Sequence, residues 1–403
     1  MLFGQEINAE SWAVAVSDMM IKGLPGDGIR CGDALVNDAF EGRRFACMLA
    51  NPPFGVQWKE IRGAIEEDRR RHGARSRFAA GLPRVSDGSL LFLQHMIAKM
   101  RPPEEGGSRI GIVLNGSPLF NGDAGSGESE IRRWIITNDW LEAIVALPEQ
   151  LFYNTGIATY LWILTNVKEP RRRGAVQLID ARGYAARMQR SVGQKRNCIG
   201  ADRIRQIAEV HEGFRDGETA TVEIRGAAVS RVVSRVFSND DFGYQLITVE
   251  RPLRLAFHAV PERIEALSRT AIGRGAGSLG PVLKALAALN RVYPNRSEFR
   301  AVLAGIESSL GIRLQATVRN AIEAGLAERD EAAEPCVDRH GRPEPDLTLR
   351  DAERVPLRVS VDDYLAREVL PFVPDAWVSP APPRIRYEIP HRGRRSRVRV
   401  SRW

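Results

Sequence analysis

The residues best suited to chemistry in this 403-residue chain are Asn51-Pro52-Pro53-Phe54, which directly follow the apolar run Phe45 to Ala50. An apolar run stopped by prolines reads as a strand that ends there, and the carboxyl ends of strands in open α/β sheets are where ligands bind. An exocyclic aromatic amine is a poor nucleophile because its lone pair is delocalised into the ring. An Asn side-chain oxygen and a carbonyl held still by prolines can each accept one of its N–H groups and draw the lone pair toward a methyl donor. The aromatic side chain supplies a face on which a base taken out of a duplex can stack. Such a reaction needs no metal and no covalent intermediate, because orientation for in-line transfer supplies most of the effect.

These residues need a frame. Ile7 to Lys22 reads as a helix, with Trp12, Val16, Met19 and Met20 at helical spacing. Ser86-Asp87-Gly88 offers N-cap chemistry for a helix over Ser89 to Met100 whose Leu90, Leu93, Met96, Ile97 and Met100 share one face. His95 lies on that apolar helix and reads as structural. Phe45 to Ala50, Arg109 to Leu114, Glu142 to Leu147, Ala158 to Leu164 and Val176 to Ile179 read as strands. Strands alternating with helices predict an α/β fold with a mostly parallel sheet covered on both faces. Further along, Ile199 to Glu212 reads as helical, Ser238 to Asp241 as a turn, residues 256–330 as helical, and Glu331 to Pro345 as a polar linker.

Composition excludes several classes. With 43% hydrophobic and 27% charged residues the chain is neither disordered nor fibrous. Cys31, Cys47, Cys198 and Cys336 are scattered, so no disulfide framework or zinc site is indicated. No apolar run approaches the roughly 18 residues that span a bilayer, and the amino terminus lacks a signal-peptide pattern, so a cytoplasmic protein without a membrane role is expected. The net charge of +8 invites a nucleic-acid reading, yet residues 384–403 hold eight Arg and one acid and supply seven of those charges.

The strings FGQEIN (3–8), GDAL (32–35), ANPPFG (50–55), SDGSLLFLQHMIAKM (86–100) and residues 107–136 and 140–166 together resemble S-adenosylmethionine-dependent, amino-methylating DNA methyltransferases. The resemblance is closest to the modification (M) subunits of type I restriction-modification systems, and it extends to residues 236–255, 361–377 and 387–390. It implies a Rossmann-like methyltransferase sheet followed by a mainly helical carboxyl-terminal region. It also implies the division 1–183 catalytic, 184–255 connecting, 256–357 helical and 358–403 carboxyl-terminal. Position by position, Asn51, Pro52 and Phe54 would form the target-adenine site, with Pro53, Phe152 and Tyr153 lining the flipped base. Glu6 would bond the ribose hydroxyls of S-adenosylmethionine and Asp33 would accept from its adenine amine. Implied partners are double-stranded DNA, a specificity subunit and a restriction subunit.

The resemblance also implies a first strand and glycine-rich cofactor loop ahead of the strand that ends at Glu6, and a helical domain upstream. The chain is therefore expected to lack both and to be incomplete at this end, with a non-catalytic remnant as the alternative. Gly122-Asp123-Ala124-Gly125-Ser126-Gly127 is glycine-rich but lies about seven residues beyond the end of its strand, too far to play that loop's part. Residues 391–403 depart from the family's ending and are expected to be a shifted reading frame; an electrostatic DNA clamp is the alternative. Protein-glutamine methyltransferases share the N-P-P-aromatic site; Phe54 in place of Tyr and the long flanking match count against them.

Overall fold

The computed structural model of the chain describes residues 1–153, 155–224, 227–269 and 279–390. These fall into two compact units. The first gathers residues 1–246 and 354–359 with the described residues from 384 onward, and the second gathers 247–353 and 360–383.

The first unit opens with β1 (Gly4–Glu6), α1 (Ala9–Ile21) and β2 (Ile29–Cys31), with β1 and β2 forming a separate two-stranded parallel sheet. Asn8 caps α1 by accepting from the Ser11 amide at 2.9 Å, as a residue of this type should just ahead of a helix. Six strands make the main sheet: β3 (Cys47–Ala50), β4 (Arg109–Asn115), β5 (Leu141–Ala146), β6 (Thr159–Thr165), β7 (Ala175–Asp180) and β10 (Ser234–Ser238), in the order β10-β7-β5-β6-β4-β3. Here the structure corrects the expectation of a mostly parallel sheet. Pairs β3–β4 and β5–β7 are parallel, but β6 is antiparallel to both its neighbours and β10 is antiparallel to β7. The cause is local: the link from β5 to β6 carries no helix, and a direct return can pair only antiparallel.

In β4, Ile110, Ile112 and Leu114 are fully buried and alternate with less buried neighbours. They pack on one face against Leu93, Met96 and Ile97 of α3 (Ser89–Ala98) and Ile131, Ile135 and Ile136 of α5 (Gly127–Thr137), which follows the short α4 (Ser117–Phe120). The opposite face carries Val145 and Ile179, packed with Ile207 and Val210 of α6 (Ala201–Gly213). Each such aliphatic side chain contributes about 1.5–3 kcal/mol on full burial. The middle of the sheet is thus covered on both faces.

The β3 end of the sheet is different. Strand β3 pairs with β4 alone among the described residues, and Leu49 on it is 82% exposed. Helix α1 buries no residue. The rings of Phe3, Phe40 and Phe45 meet at 5.4–6.2 Å just before β1 and β3.

In the second unit residues 256–330 are not helical throughout. Leu255–Ala259, Arg291–Tyr293 and Ala327–Arg329 form a three-stranded antiparallel sheet, on which Phe257 stacks against Phe299 with ring centroids 4.9 Å apart. Short strands inside an Ala/Leu-rich stretch carry too little alternation to stand out from helix. The expected linker is packed as well: Cys336 is buried and its amide donates to the Leu253 carbonyl at 2.7 Å. No described helix is long and apolar enough to cross a membrane, and the described residues hold no metal-binding cluster. Residues 391–403, on which the reading-frame expectation falls, lie outside the described residues.

Candidate active site

Strand β3 stops at Ala50, which pairs with Ile112 of β4, so Asn51-Pro52-Pro53-Phe54 leaves the sheet at the carboxyl end of β3. Pro52 is buried and Asn51 is exposed. The Asn51 side chain makes no hydrogen bond among the described residues, so its amide oxygen is open to a ligand. After Phe54 the chain turns at Gly55 with φ +64°, a conformation that favours glycine. The segment is then pinned: the Gly88 amide donates to Val56 (3.0 Å), the Trp58 amide to Val85 (3.1 Å) and the Trp58 indole to Arg84 (3.0 Å). Trp58 and Ile65 of α2 (Arg62–His72) sink into a cluster with Leu35, Phe78 and Leu91.

The structure brings Phe54 to Phe152 edge to face, with ring centroids 6.5 Å apart at 78°. Neither ring is fully buried, so together they make two walls of a partly open aromatic site. Tyr153 is 57% exposed and lies under the Lys195 ammonium, 4.8 Å from its ring centroid. The sequence reading missed the hairpin that does this, β8 (Ala186–Val192) and β9 (Lys195–Cys198). Its amides at Gln194 and Arg196 donate to Tyr153 and Gln150, both at 2.9 Å, fixing the segment that carries Phe152. Gly193, with φ +58°, and Gln194 form the two residues between the strands, which is the one local signal that could have marked a hairpin.

Glu6 and Asp33 are also brought together. Glu6 closes β1, opposite Cys31, and its carbonyl accepts from the Gly32 amide at 2.9 Å. Its carboxylate Oε1 accepts from the Asn8 amide, and Asp33 Oδ1 accepts from the Leu35 amide, each at 2.8 Å. The second oxygen of each carboxylate is unbonded among the described residues. Two half-used carboxylates at neighbouring strand ends are acceptors of the kind that fit ribose hydroxyls and an adenine amine. The glycines of Gly122–Gly127 lie beyond α4, with Ser126 capping α5, and so do not abut the end of β4. A cavity of about 160 Å³ among Leu119, Ala146, Tyr160, Asp180 and Arg182 contains none of the candidate residues.

Behind the site, burial and the neighbouring Arg77 hold the His95 imidazole down to about 4. The folded ring stays neutral where an unfolded one, near 6.5, would take a proton. Stability is therefore full above pH 6.5 and falls by up to about 3 kcal/mol as pH drops toward 4. Melting temperatures from pH 7.5 to 4.5 should show this slope, and His95→Gln should flatten it; an unchanged slope would remove His95 as its source.

A mixed α/β sheet with an Asn-Pro-Pro-Phe turn at a strand's carboxyl end, an aromatic pair beside it and two half-used carboxylates on adjacent strand ends holds the groups that methyl transfer to an aromatic amine would need. The sequence profile of the N-6 DNA methylase family matches residues 1–236, and the chain belongs to that family. It is similar to the methylase subunit of the type I restriction enzyme HindI of Haemophilus influenzae, 34% identical over 189 residues, which cover 45% of this chain and 38% of that protein. It is also similar to the MjaIX methylase subunit of Methanocaldococcus jannaschii, 28% identical over 218 residues, covering 54% and 36%. Among solved structures, the type I methyltransferase subunit of Streptococcus thermophilus aligns at 23% identity and a TM-score of 0.45, covering 59% of this chain and 44% of that one. The chain thus spans well under half the length of the curated relatives it matches.

Proposed function

We propose that this chain is the target-base part of a modification subunit of a type I restriction-modification system, transferring methyl from S-adenosylmethionine to N6 of adenine in double-stranded DNA. The observation that carries the reading is Asn51, its side chain exposed and unbonded among the described residues at the carboxyl end of the edge strand β3, beside the Phe54–Phe152 pair. The cofactor supplies a methyl group on a sulfonium sulfur; Glu6 and Asp33 would hold its adenosine half. Asn51 Oδ1 and the carbonyl of Pro52 accept the two N–H groups of the target amine, pulling its lone pair out of conjugation and aiming it at the methyl carbon. Phe54 stacks on the extruded base, Pro53 stiffens the turn, and Phe152 and Tyr153 close the pocket. A separate specificity subunit would choose the DNA sequence, and a restriction subunit would complete the assembly.

The test is to incubate the chain, alone and with the specificity subunit of such a system, with methyl-labelled S-adenosylmethionine and DNA, and to look for N6-methyladenine by mass spectrometry. Label on a protein amide and none on DNA would favour glutamine methylation instead. Phe54→Ala should weaken the productive DNA complex about 5- to 150-fold, since base–aromatic stacking is worth about 1–3 kcal/mol. Steady-state titration with DNA checks this, and an unchanged KM and kcat would remove Phe54 from the pocket.

A second reading, a non-catalytic piece of the same ancestry, is favoured by the β3 edge, unpaired among the described residues, and by α1, which buries nothing. Calorimetric titration with S-adenosylmethionine separates the two. Binding tighter than roughly millimolar contradicts the second reading.

A further inference from the structure

Arg77 belongs to none of the motifs read from the sequence, yet its guanidinium is only 19% exposed and fully engaged. Nη1 donates to the Ala34 carbonyl at 3.1 Å and Nη2 to the Leu35 carbonyl at 2.9 Å. Nη1 also lies 2.9 Å from His95 Nδ1 on α3, and Nη2 and Nε lie 3.3 and 3.4 Å from Asp68 Oδ2 on α2. Because His95 is held neutral, its Nδ1 can accept from Arg77.

Ala34 and Leu35 are the middle of the turn that begins at Asp33. Inside that turn Asp33 accepts twice, from the Leu35 amide through Oδ1 and from the Asn37 amide through its carbonyl, both at 2.8 Å. The amide donors are thus tied to Asp33 and the carbonyl acceptors to Arg77. Asp68, on the far side of the guanidinium, belongs to the helix that follows the Asn51–Phe54 turn. One side chain therefore spans from the Asp33 turn to the helix beyond the target-base turn and to the core helix α3. Only a planar fork of donors can serve four acceptors in these directions; an ammonium, as a point donor, cannot.

We infer that Arg77 is the positioning residue of the Asp33 turn, fixing the carboxylate that receives the cofactor's adenine in one frame with the target-base turn. The cofactor part of this inference rests on the function proposed above; the mechanical part does not.

The test uses the full chain and Arg77→Lys, which keeps the charge and loses the fork. Hydrogen exchange should show the Leu35 and Asn37 amides losing protection at least tenfold, with β4, β5 and β6 unchanged. Calorimetry should show S-adenosylmethionine binding at least tenfold weaker than wild type. In an Asp33→Ala background the same Arg77→Lys change should weaken binding by less than twofold more, because its effect passes through Asp33. Unchanged exchange in the turn, exchange lost equally from the sheet, or a fully additive loss of affinity would each overturn the positioning role. A wild-type chain that binds no S-adenosylmethionine, while Arg77→Lys still loosens the turn, would instead overturn the proposed function and the cofactor part of this inference with it.

Discussion

Asn51→Ala is expected to lower the rate of adenine methylation by at least about 100-fold while leaving S-adenosylmethionine affinity within a few-fold. The size follows from what the side chain would do: a preorganised hydrogen-bonding group aimed at the reacting atom, once removed, typically costs 10²–10³ in turnover. The selectivity follows from its place. Asn51 lies at the end of β3, whereas the carboxylates assigned to the cofactor, Glu6 and Asp33, lie at the ends of β1 and β2. Because Asn51 is exposed and carries no structural hydrogen bond, its loss should not unfold the chain. The measurements are single-turnover methylation with DNA in excess and calorimetric titration of the same preparation with cofactor. Parallel loss of both would refute its assignment to the target amine.

The second large effect is structural. Arg132 of α5 is completely buried, and its guanidinium donates to the carbonyls of Tyr387 (2.7 Å), Pro118 (2.9 Å) and Asn121 (2.7 Å). Burial is what lowers it to about 10, so it remains charged at neutral pH. It ties the strand Arg384–Tyr387 and the α4 turn to the core, helped by the Tyr387 amide donating to Ser129 Oγ (3.0 Å) and the Ile389 amide donating to Leu119 (2.8 Å). Arg132→Met fills much of the volume but leaves three carbonyls without donors, each costing about 1–3 kcal/mol less what water recovers. A loss of about 3–5 kcal/mol is expected in urea unfolding of the chain. The adjacent Arg133, exposed and paired with Glu130, provides the control: Arg133→Met should cost under about 1 kcal/mol. Similar small losses from both would show that the buried arginine does not hold the carboxyl-terminal strand.

Much of the candidate site was legible because its signals are local. Asn51-Pro52-Pro53-Phe54 stops a strand by its own chemistry: proline cannot continue a ladder and fixes the backbone on either side of itself. The helix expected over Ser89 to Met100, which runs Ser89–Ala98, and the turn at Ser238–Asp241, which closes as a capping box, were equally local. Family resemblance then paired Phe54 with Phe152, nearly a hundred residues away, which periodicity could not have done. What the sequence left open is what depends on long-range pairing. The direction of β6 follows from the absence of a helix between β5 and β6, and the strands within residues 255–329 are too short to show a period. Arg77, Arg132 and the β8–β9 hairpin gain their meaning only from partners far along the chain.

By itself, then, the sequence determined the strand that stops just before Asn51, the residue types able to activate an amine, and a net charge concentrated in the last twenty residues, since each is a property of adjacent residues. The tertiary structure decided that Glu6 and Asp33 share one pair of strand ends, that the Phe54 and Phe152 rings meet edge to face, and that the half-buried Arg77 and the buried Arg132 each gather backbone carbonyls. A guanidinium at position 77 or 132 reads as surface charge until folding surrounds it with carbonyls, because burial and hydrogen-bond partners are set by contacts that no local pattern encodes.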